Sequence, residues 1–407
     1  MENGRSRILF VSGSIGLGHV WRDIAIARAI RKQNPEVEIE WLADPSSGKV
    51  LKDVGEKFVP NVEMPRYGND LMESEAEGYS LNLTSWYMKD MKGFGQNYEI
   101  YKEALAKENF DLVVGDEFYD IVTEIPRDEE YKGPPMVAIW DFLGFDAVSM
   151  NPKERLFVRI MNKSWTKPNP RYNLKKLIMI GELEDVPDRP LGLGLPSRRS
   201  FTKSNFECVG YVFPFDPNNF LDKRRVRQEL GYGEGPLIVA SAGGTAIGRP
   251  LLDLCCSSYP LMKKEIPDLR MVVVAGPRMA PESIKKADGV EVRGYVPELY
   301  KHFAASDFSI SMGGGTTTLE LTALRVPFAF FPLEKHFEQE LLIADRCKRI
   351  GAGVNMRFSR TTPEMLAQAA IQNIGKKVTY PPIRTDGAEN AGKVINGVLA
   401  GSTSGNV

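Results

Sequence analysis

Two α/β domains in tandem, each built on a parallel sheet, are the fold class that this sequence predicts. Short, unbroken apolar runs recur along the chain with helical patterns between them, and in each half the first such run ends in a glycine turn. Each run has the character of a parallel strand buried on both faces. The chain has 407 residues, more than one ordinary core accommodates, so two domains of roughly 150–200 residues are expected.

The elements follow in order. Arg7 to Ser12 is the first apolar run; Gly13 to Gly18 break it, and Val20 to Lys32 carry apolar residues at helical spacing. After Asn34 and Pro35 a second strand runs from Val37 to Ala43, giving a βαβ beginning whose right-handed crossover sets the two strands parallel. Further strands are expected at Asp111 to Gly115 and at Pro135 to Trp140. The rhythm restarts at Pro236 to Ala240, again with a glycine turn, Ser241 to Thr245. Strands follow at Arg270 to Ala275, Val290 to Gly294, Phe308 to Met312 and Pro327 to Phe331. Pro196, Ser197, Pro214, Asp216 and Pro217 accumulate between the halves, and the expected domains are 1–205 and 206–385. The closing stretch Gly401 to Val407, rich in Gly, Ser and Asn, reads as unstructured.

Composition narrows the classes. Hydrophobic residues make up 43% and charged residues 26%, as in a globular protein. A net charge of −1 provides no whole-molecule field for nucleic acid or membrane, so nucleic acid is not an expected partner. The four cysteines, Cys208, Cys255, Cys256 and Cys347, form no CxxC and suggest neither a disulfide framework nor a zinc site; no metal is expected. The polar leader Met1 to Arg7 runs into a strand interrupted by glycines, a histidine, an arginine and an aspartate. That is neither a signal peptide nor a membrane span, and the cytoplasm is the expected compartment.

Ligands of open parallel sheets sit outside the carboxyl ends of the strands. Two such sheets facing one another would gather both sets of glycine turns around one cleft, as in a two-substrate enzyme, although fold alone does not fix function. The strongest site-like stretch is Ser309 to Glu320. Gly313, Gly314 and Gly315 follow a strand directly, and Thr316, Thr317 and Thr318 open a helix, offering hydroxyls and free N–H groups at its positive end. Such a loop suits a diphosphate, with Glu320 one turn on able to accept from ribose hydroxyls. A tight turn with a threonine cap fits the same residues. Gly243, Gly244 and Thr245 supply a second turn on the same sheet edge. At Tyr295 and Val296 the backbone can read a base edge, while the tyrosine ring stacks on a ligand or packs in the core. Glu334, His336, Glu338 and Gln339 suit sugar hydroxyls or, equally, a solvated helix start.

In the first half, Gly13 to Val20 holds a glycine pattern that alone is a weak signal. His19 stands where this loop, with Gly16 and Gly18, becomes a helix, and is a general-base candidate. Asp116 and Glu117 end another strand, placed to orient His19, to contact an acceptor, or simply to cap the next helix. Asp44, ending the second strand, keeps an NAD-dependent oxidoreductase reading open.

Taken together these pieces resemble the GT-B glycosyltransferases, with two Rossmann-like domains around a central cleft. The resemblance is closest to family 28, which includes the enzyme that adds N-acetylglucosamine to lipid-linked muramoyl-pentapeptide. It runs from Gly16 to His19 through to Asn390, and is most specific between Gly294 and Gly353. It implies that Gly313 to Thr318 form the diphosphate loop and that Glu320 binds ribose. It gives Tyr295 and Val296 the uracil-type base, His336 and Gln339 the sugar, and Ser241 to Thr245 the phosphates. It sets His19 near the acceptor hydroxyl and implies that a last helix, about 386–400, returns to the N-terminal domain. Met312 stands where many relatives carry histidine, and no asparagine follows Gln339; UDP is implied and the donor sugar stays open.

The activity implied is inverting, metal-independent transfer in a single displacement, with His19 and Asp116 acting on the acceptor proton. The nucleotide-sugar is a substrate, and no separate cofactor is implied. The acceptor is a small molecule or a lipid-linked one. Residues 151–180 carry eight Lys/Arg and one Glu, with Leu156, Phe157, Ile160, Met161 and Trp165 near helical spacing. This basic amphipathic pattern fits peripheral contact with an anionic membrane, and equally an exposed basic face over a core stripe. Alternatives from other classes are a nucleotide-sugar epimerase and a non-catalytic nucleotide-sugar-binding subunit.

Overall fold

The apolar runs become strands, and three further strands complete the first sheet and one the second. The computed structural model describes residues 5–13, 17–63, 65, 69–167, 170–285 and 287–404. One sheet contains β1 (Arg7–Ser12), β2 (Glu38–Leu42), β3 (Lys57–Phe58), β4 (Leu112–Asp116), β5 (Met136–Trp140), β6 (Leu174–Ile180) and β7 (Phe206–Gly210). Its order is β3-β2-β1-β4-β5-β6-β7, every neighbouring pair parallel. The other contains β8 (Leu237–Ser241), β9 (Arg270–Val274), β10 (Val290–Arg293), β11 (Phe308–Met312), β12 (Phe328–Phe331) and β13 (Val354–Asn355). Its order is β10-β9-β8-β11-β12-β13, again parallel.

Burial on both faces explains the unbroken apolar runs. Ile8 and Phe10 pack with Ile24, Ile30, Ile395 and Leu399 on one side of the first sheet, while Leu9 and Val11 pack with Tyr101, Ala104 and Ile121 on the other. Ile8, Leu9 and Phe10 have no exposed surface. Burying a side chain of this size contributes about 1.5–3 kcal/mol.

The chain divides into two units. The first comprises Met1–Asn69, Thr84–Phe215 and Arg384–Val407, and the second Asp70–Leu83 with Asp216–Ile383. The accumulation of Pro, Ser and Asp places the boundary near 200–235, with domains 1–205 and 206–385; the division lies after Phe215, and Asp70–Leu83 joins the second unit from within the first half. Main-chain pairing explains this: Ser80 bridges Glu334, and the Tyr79 hydroxyl donates to the Phe331 carbonyl at 2.7 Å. The helix Gly387–Ser404 belongs to the first unit and packs on the helix Leu17–Gln33. It continues through Ser404, so residues 401–404 are helical rather than unstructured; the buried Leu399 lies one turn before them.

Each sheet reverses its strand order once, between β1 and β4 and between β8 and β11. In doubly wound sheets the crevice at that reversal takes the ligand. The register sets Ser12 beside Asp116 in the first sheet and Ser241 beside Ser311 in the second.

Candidate functional site

In the first unit the reversal point is filled by charge. Gly13 leaves β1 so close to the end of β4 that a Cβ would lie 2.2 Å from the Asp116 carbonyl oxygen; only glycine fits. The helix that follows carries His19 and Arg22 one turn apart, on one face. His19 Nδ1 is 2.8 Å from Asp116 Oδ2, and Arg22 Nη2 donates to both oxygens of Asp116 at 2.6 and 2.8 Å. Arg22 Nη1 donates to Asp141 at 2.9 Å, just beyond β5. Gly18 lies in the first turn of the helix, and Gly16 falls outside the described residues.

Asp116 has no exposed surface. Burial pulls its pKa up, but Arg22 and then His19 overcome this and hold the carboxyl below its ordinary value. Asp141 is held low in the same way, chiefly by Arg22 against burial. Two neighbours go the other way. Burial and the repulsion of Asp141 push Glu117 well up, and burial and Asp116 do the same to Asp23, to which Ser12 Oγ donates at 2.5 Å. Arg22 Nη2 also lies 2.7 Å from His19 Nδ1. With Nδ1 donating to Asp116, the free ring nitrogen is Nε2, on a side chain 15% exposed.

In the second unit the reversal point offers unpaired polar groups. Gly313 approaches the next strand so closely that a Cβ would lie 2.7 Å from Pro332 Cα, whereas a Cβ at Gly314 would meet nothing within 4 Å. Gly315, Thr316 and Thr317 form the first turn of the helix Gly315–Ala323, whose N-cap, Gly314, supplies no side-chain bond. Thr318 turns its hydroxyl back to the Gly314 carbonyl at 2.9 Å, and Arg346 reaches the Gly315 carbonyl at 2.9 Å. The hydroxyls of Thr245 and Ser311 are buried without a partner. Glu320 is half-buried, and burial alone raises its pKa to about 8.

The turn at Gly243, Gly244 and Thr245 is not open throughout. The Glu73 carboxylate accepts from the Ala246 N–H at 3.0 Å and from Arg278 Nε at 2.6 Å, and Arg278 also pairs with Asp70. Tyr295 is 45% exposed, so its ring is not a core residue; Val296 is half-buried beside it. His336 and Gln339 are both buried: Gln339 Oε1 accepts from the Leu333 N–H at 2.9 Å, and burial lowers the His336 pKa to about 4, leaving the ring neutral. A stretch of π-helix, Glu338–Ile343, follows His336, a distortion found most often at functional positions.

Residues 239–389 match the glycosyltransferase family 28 C-terminal domain. The chain carries a glycosyltransferase family 28 C-terminal domain, resembles family 28, and has the GT-B fold. It is 30% identical over 195 residues to an uncharacterized glycosyltransferase of Methanopyrus kandleri, covering 47% of this chain and 54% of that protein. It is 22% identical over 381 residues to the UDP-N-acetylglucosamine–N-acetylmuramyl-(pentapeptide) pyrophosphoryl-undecaprenol N-acetylglucosamine transferase of Clostridioides difficile, covering 91% of this chain and 82% of that protein. The fold resembles that of the glycosyltransferase SnogD from Streptomyces nogalater with a TM-score of 0.57 at 16% identity, covering 98% of this chain and 99% of that one. These likenesses lend no support to the epimerase or the non-catalytic reading.

Several residues around these two reversal points escape sequence reasoning. Arg22 and Asp23 interrupt an otherwise apolar helix face, and Asp141 ends a strand just as Asp116 does; both signals are visible once sought. Arg346, Glu73 and Arg278 carry no local signal, because their partners lie far away in the chain.

Proposed function

We propose that this glycosyltransferase moves a sugar, with inversion, from a UDP-linked donor to an acceptor hydroxyl. The observation that carries the reading is the pairing of His19 Nδ1 with buried, ionised Asp116 at 2.8 Å. An imidazole so oriented keeps Nε2 as a base, and Asp116 stabilises the imidazolium once the proton is taken. As the oxygen attacks the anomeric carbon, the bond to the diphosphate breaks on the opposite face. The Gly313 and Thr318 N–H groups donate to the Phe331 and Gly314 carbonyls, so the amides of Gly314 to Thr317, at the N-terminus of their helix, are those that suit the charge developing on the leaving group, without a metal. Glu320 suits the ribose hydroxyls, the Tyr295–Val296 backbone the base, and the Nε2 atoms of His336 and Gln339 the sugar.

The acceptor reading follows the Clostridioides relative, whose name gives a lipid-linked pyrophosphoryl-undecaprenol acceptor. One structural observation supports it. On the helix Pro152–Trp165 the rings of Phe157 and Trp165 turn inward, to Tyr87 and Trp140, but Leu156 and Ile160 are 60% and 58% exposed. Exposed Lys153, Arg155, Arg159 and Lys163 flank them. Such a face suits an anionic lipid surface. No helix among the described residues is long and apolar enough to cross a membrane.

The test is a calorimetric panel of UDP, GDP and dTDP, their sugars and NAD, run with chelator present. Selective binding of a UDP-sugar, lost in Glu320→Ala, is expected. Binding of NAD alone, or of none of these, refutes the donor site.

A further inference from the structure

We propose that Glu117 is a second acceptor-site residue, which together with His19 seats the oxygen of the attacking hydroxyl. The proposal rests on the transferase reading above and adds a residue to its acceptor side.

The backbone gives the first reason. Glu117 directly follows β4 and sits at φ 45, in the left-handed region that glycine and asparagine enter easily and glutamate does not. The turn is pinned on both sides: the Glu117 N–H donates to the Ile139 carbonyl at 3.1 Å, and the Tyr119 N–H donates to the Glu117 carbonyl at 2.8 Å. If the turn alone mattered, glycine would serve better. Strain of this kind persists where the surroundings enforce it and clusters at functional sites; Glu298, Arg325 and Lys335 share the conformation, so the side chain must supply the further reason.

The side chain gives the second. Oε2 of Glu117 lies 4.0 Å from His19 Nε2, on the edge of the ring away from Asp116, and the side chain is only 7% exposed. Oε1 is buried and accepts from no protein donor, while the carboxyl shares a hydrogen bond with Asp141. A gap of 4.0 Å is too long for a direct hydrogen bond. A single oxygen about 2.8 Å from both atoms spans it with an angle of about 90°, a position suited to one hydroxyl.

The charges facing Glu117 give the third. Burial, then the charge of Asp141 and a hydrogen bond shared with it, then Asp116, oppose its ionisation and push its pKa well up, while Arg22 is already held by both aspartates. A neutral acid fixes a hydroxyl without competing for its proton. In the transfer the O–H proton passes to His19 Nε2 and the oxygen bonds to the anomeric carbon. The carbon–oxygen bond to the diphosphate breaks with its electron pair, and Glu117 keeps its proton throughout.

Water is the simplest hydroxyl, so the probe is slow hydrolysis of UDP-N-acetylglucosamine by the full chain without another acceptor. Glu117→Gly removes the acid while relieving the backbone, and Glu117→Gln keeps its size and neutrality. Glu117→Gly is expected to lose about thirtyfold in hydrolysis and Glu117→Gln only about threefold, both with unchanged donor affinity and neither melting below the wild type. Wild-type hydrolysis in Glu117→Gly, or equal damage in both variants, overturns the proposal. A second readout needs no donor: the infrared difference between Glu117→Gln and the wild type at neutral pH. Loss of a carboxylic-acid C=O band supports the proposal, and loss of a carboxylate band overturns it. Failure of the wild type to bind the UDP-sugar counts separately, against the transferase reading.

Discussion

Replacing Glu320 by glutamine separates what this residue costs the fold from what it gives the ligand. Its carboxyl is half-buried in the helix Gly315–Ala323, and burial lifts its pKa from 4.5 to about 8. A carboxyl with a raised folded-state pKa binds its proton more tightly in the folded chain. Its contribution to stability is therefore complete below about pH 4.5 and declines as the pH rises to about 8. At neutral pH the unfolded chain carries this group ionised and the folded chain does not, a penalty of the order of 3 kcal/mol at most. Water reaching the open side of the group reduces it, and about 1–3 kcal/mol is expected. Glutamine titrates in neither state. Glu320→Gln should match the wild type in stability near pH 4.5 and exceed it near pH 8. Thermal unfolding across that range reads the difference, at roughly 2–4 °C per kcal/mol for a unit of this size. Under the proposed ribose role the same variant should bind a UDP-sugar about 10- to 100-fold more weakly, most clearly above about pH 8 where the wild-type carboxyl is ionised and accepts from both ribose hydroxyls. A variant whose stability follows the wild type at every pH refutes the burial argument. One that is stabilised yet binds with full affinity refutes the ribose role.

The other expectations are briefer. His19→Ala should lose about 10²- to 10⁴-fold in turnover while donor affinity by calorimetry stays constant. Asp116→Asn should lose turnover too and, by leaving Arg22 short of a buried partner, cost about 3 kcal/mol in urea unfolding. Glu73→Ala frees Arg278 and the Ala246 N–H, and UDP-sugar affinity should rise several-fold; unchanged affinity would separate this turn from the donor. Leu156→Glu with Ile160→Glu should reduce co-sedimentation with anionic vesicles about tenfold and leave the melting temperature unchanged, since both side chains point outward.

What was legible in the sequence follows burial. Runs such as Ile8 to Val11 and Leu237 to Ala240 are buried on both faces of a sheet, and an apolar run is all that such a strand can be. β6 and β7 went unrecognised because they lie towards one edge, where Lys175, Lys176 and Glu207 are exposed and break the pattern. β3 and β13 have two residues each, too few for any periodicity. The glycine turns were legible for a related reason: at Gly13 and Gly313 a side chain has nowhere to go. The partners of these turns were not. His19 meets Asp116 across 97 positions, and Arg278 meets Glu73 across 205. No local pattern encodes such distances; only the strand order supplies them.

The two reversal points use one topological position in opposite ways. Beside β1 and β4, Asp116 and Asp141 are paired with Arg22 and His19, so this charge network is fixed before anything binds. Arg22 Nε, Asp23 Oδ1 and Glu117 Oε1 are buried there without a hydrogen bond, but the ion pairs fix the His19 ring, as the proposed proton transfer to Nε2 requires. Beside β8 and β11 the polar groups are left wanting: Thr245 and Ser311 hold hydroxyls without partners, and Glu320 carries a carboxyl that burial keeps protonated. Leaving buried polar groups unpaired costs roughly 1–3 kcal/mol each, a cost that a ligand able to pair them relieves on binding. By this argument the first unit is stable in its working form without a substrate, and the second gains stability from one. The expected signature is unequal: a UDP-sugar should raise the unfolding temperature of the second unit and slow amide exchange around Gly313 to Glu320, while protection around Asp116 stays as it was. Equal protection at both places would mean that donor binding also orders the base, and the division of labour argued here would fail.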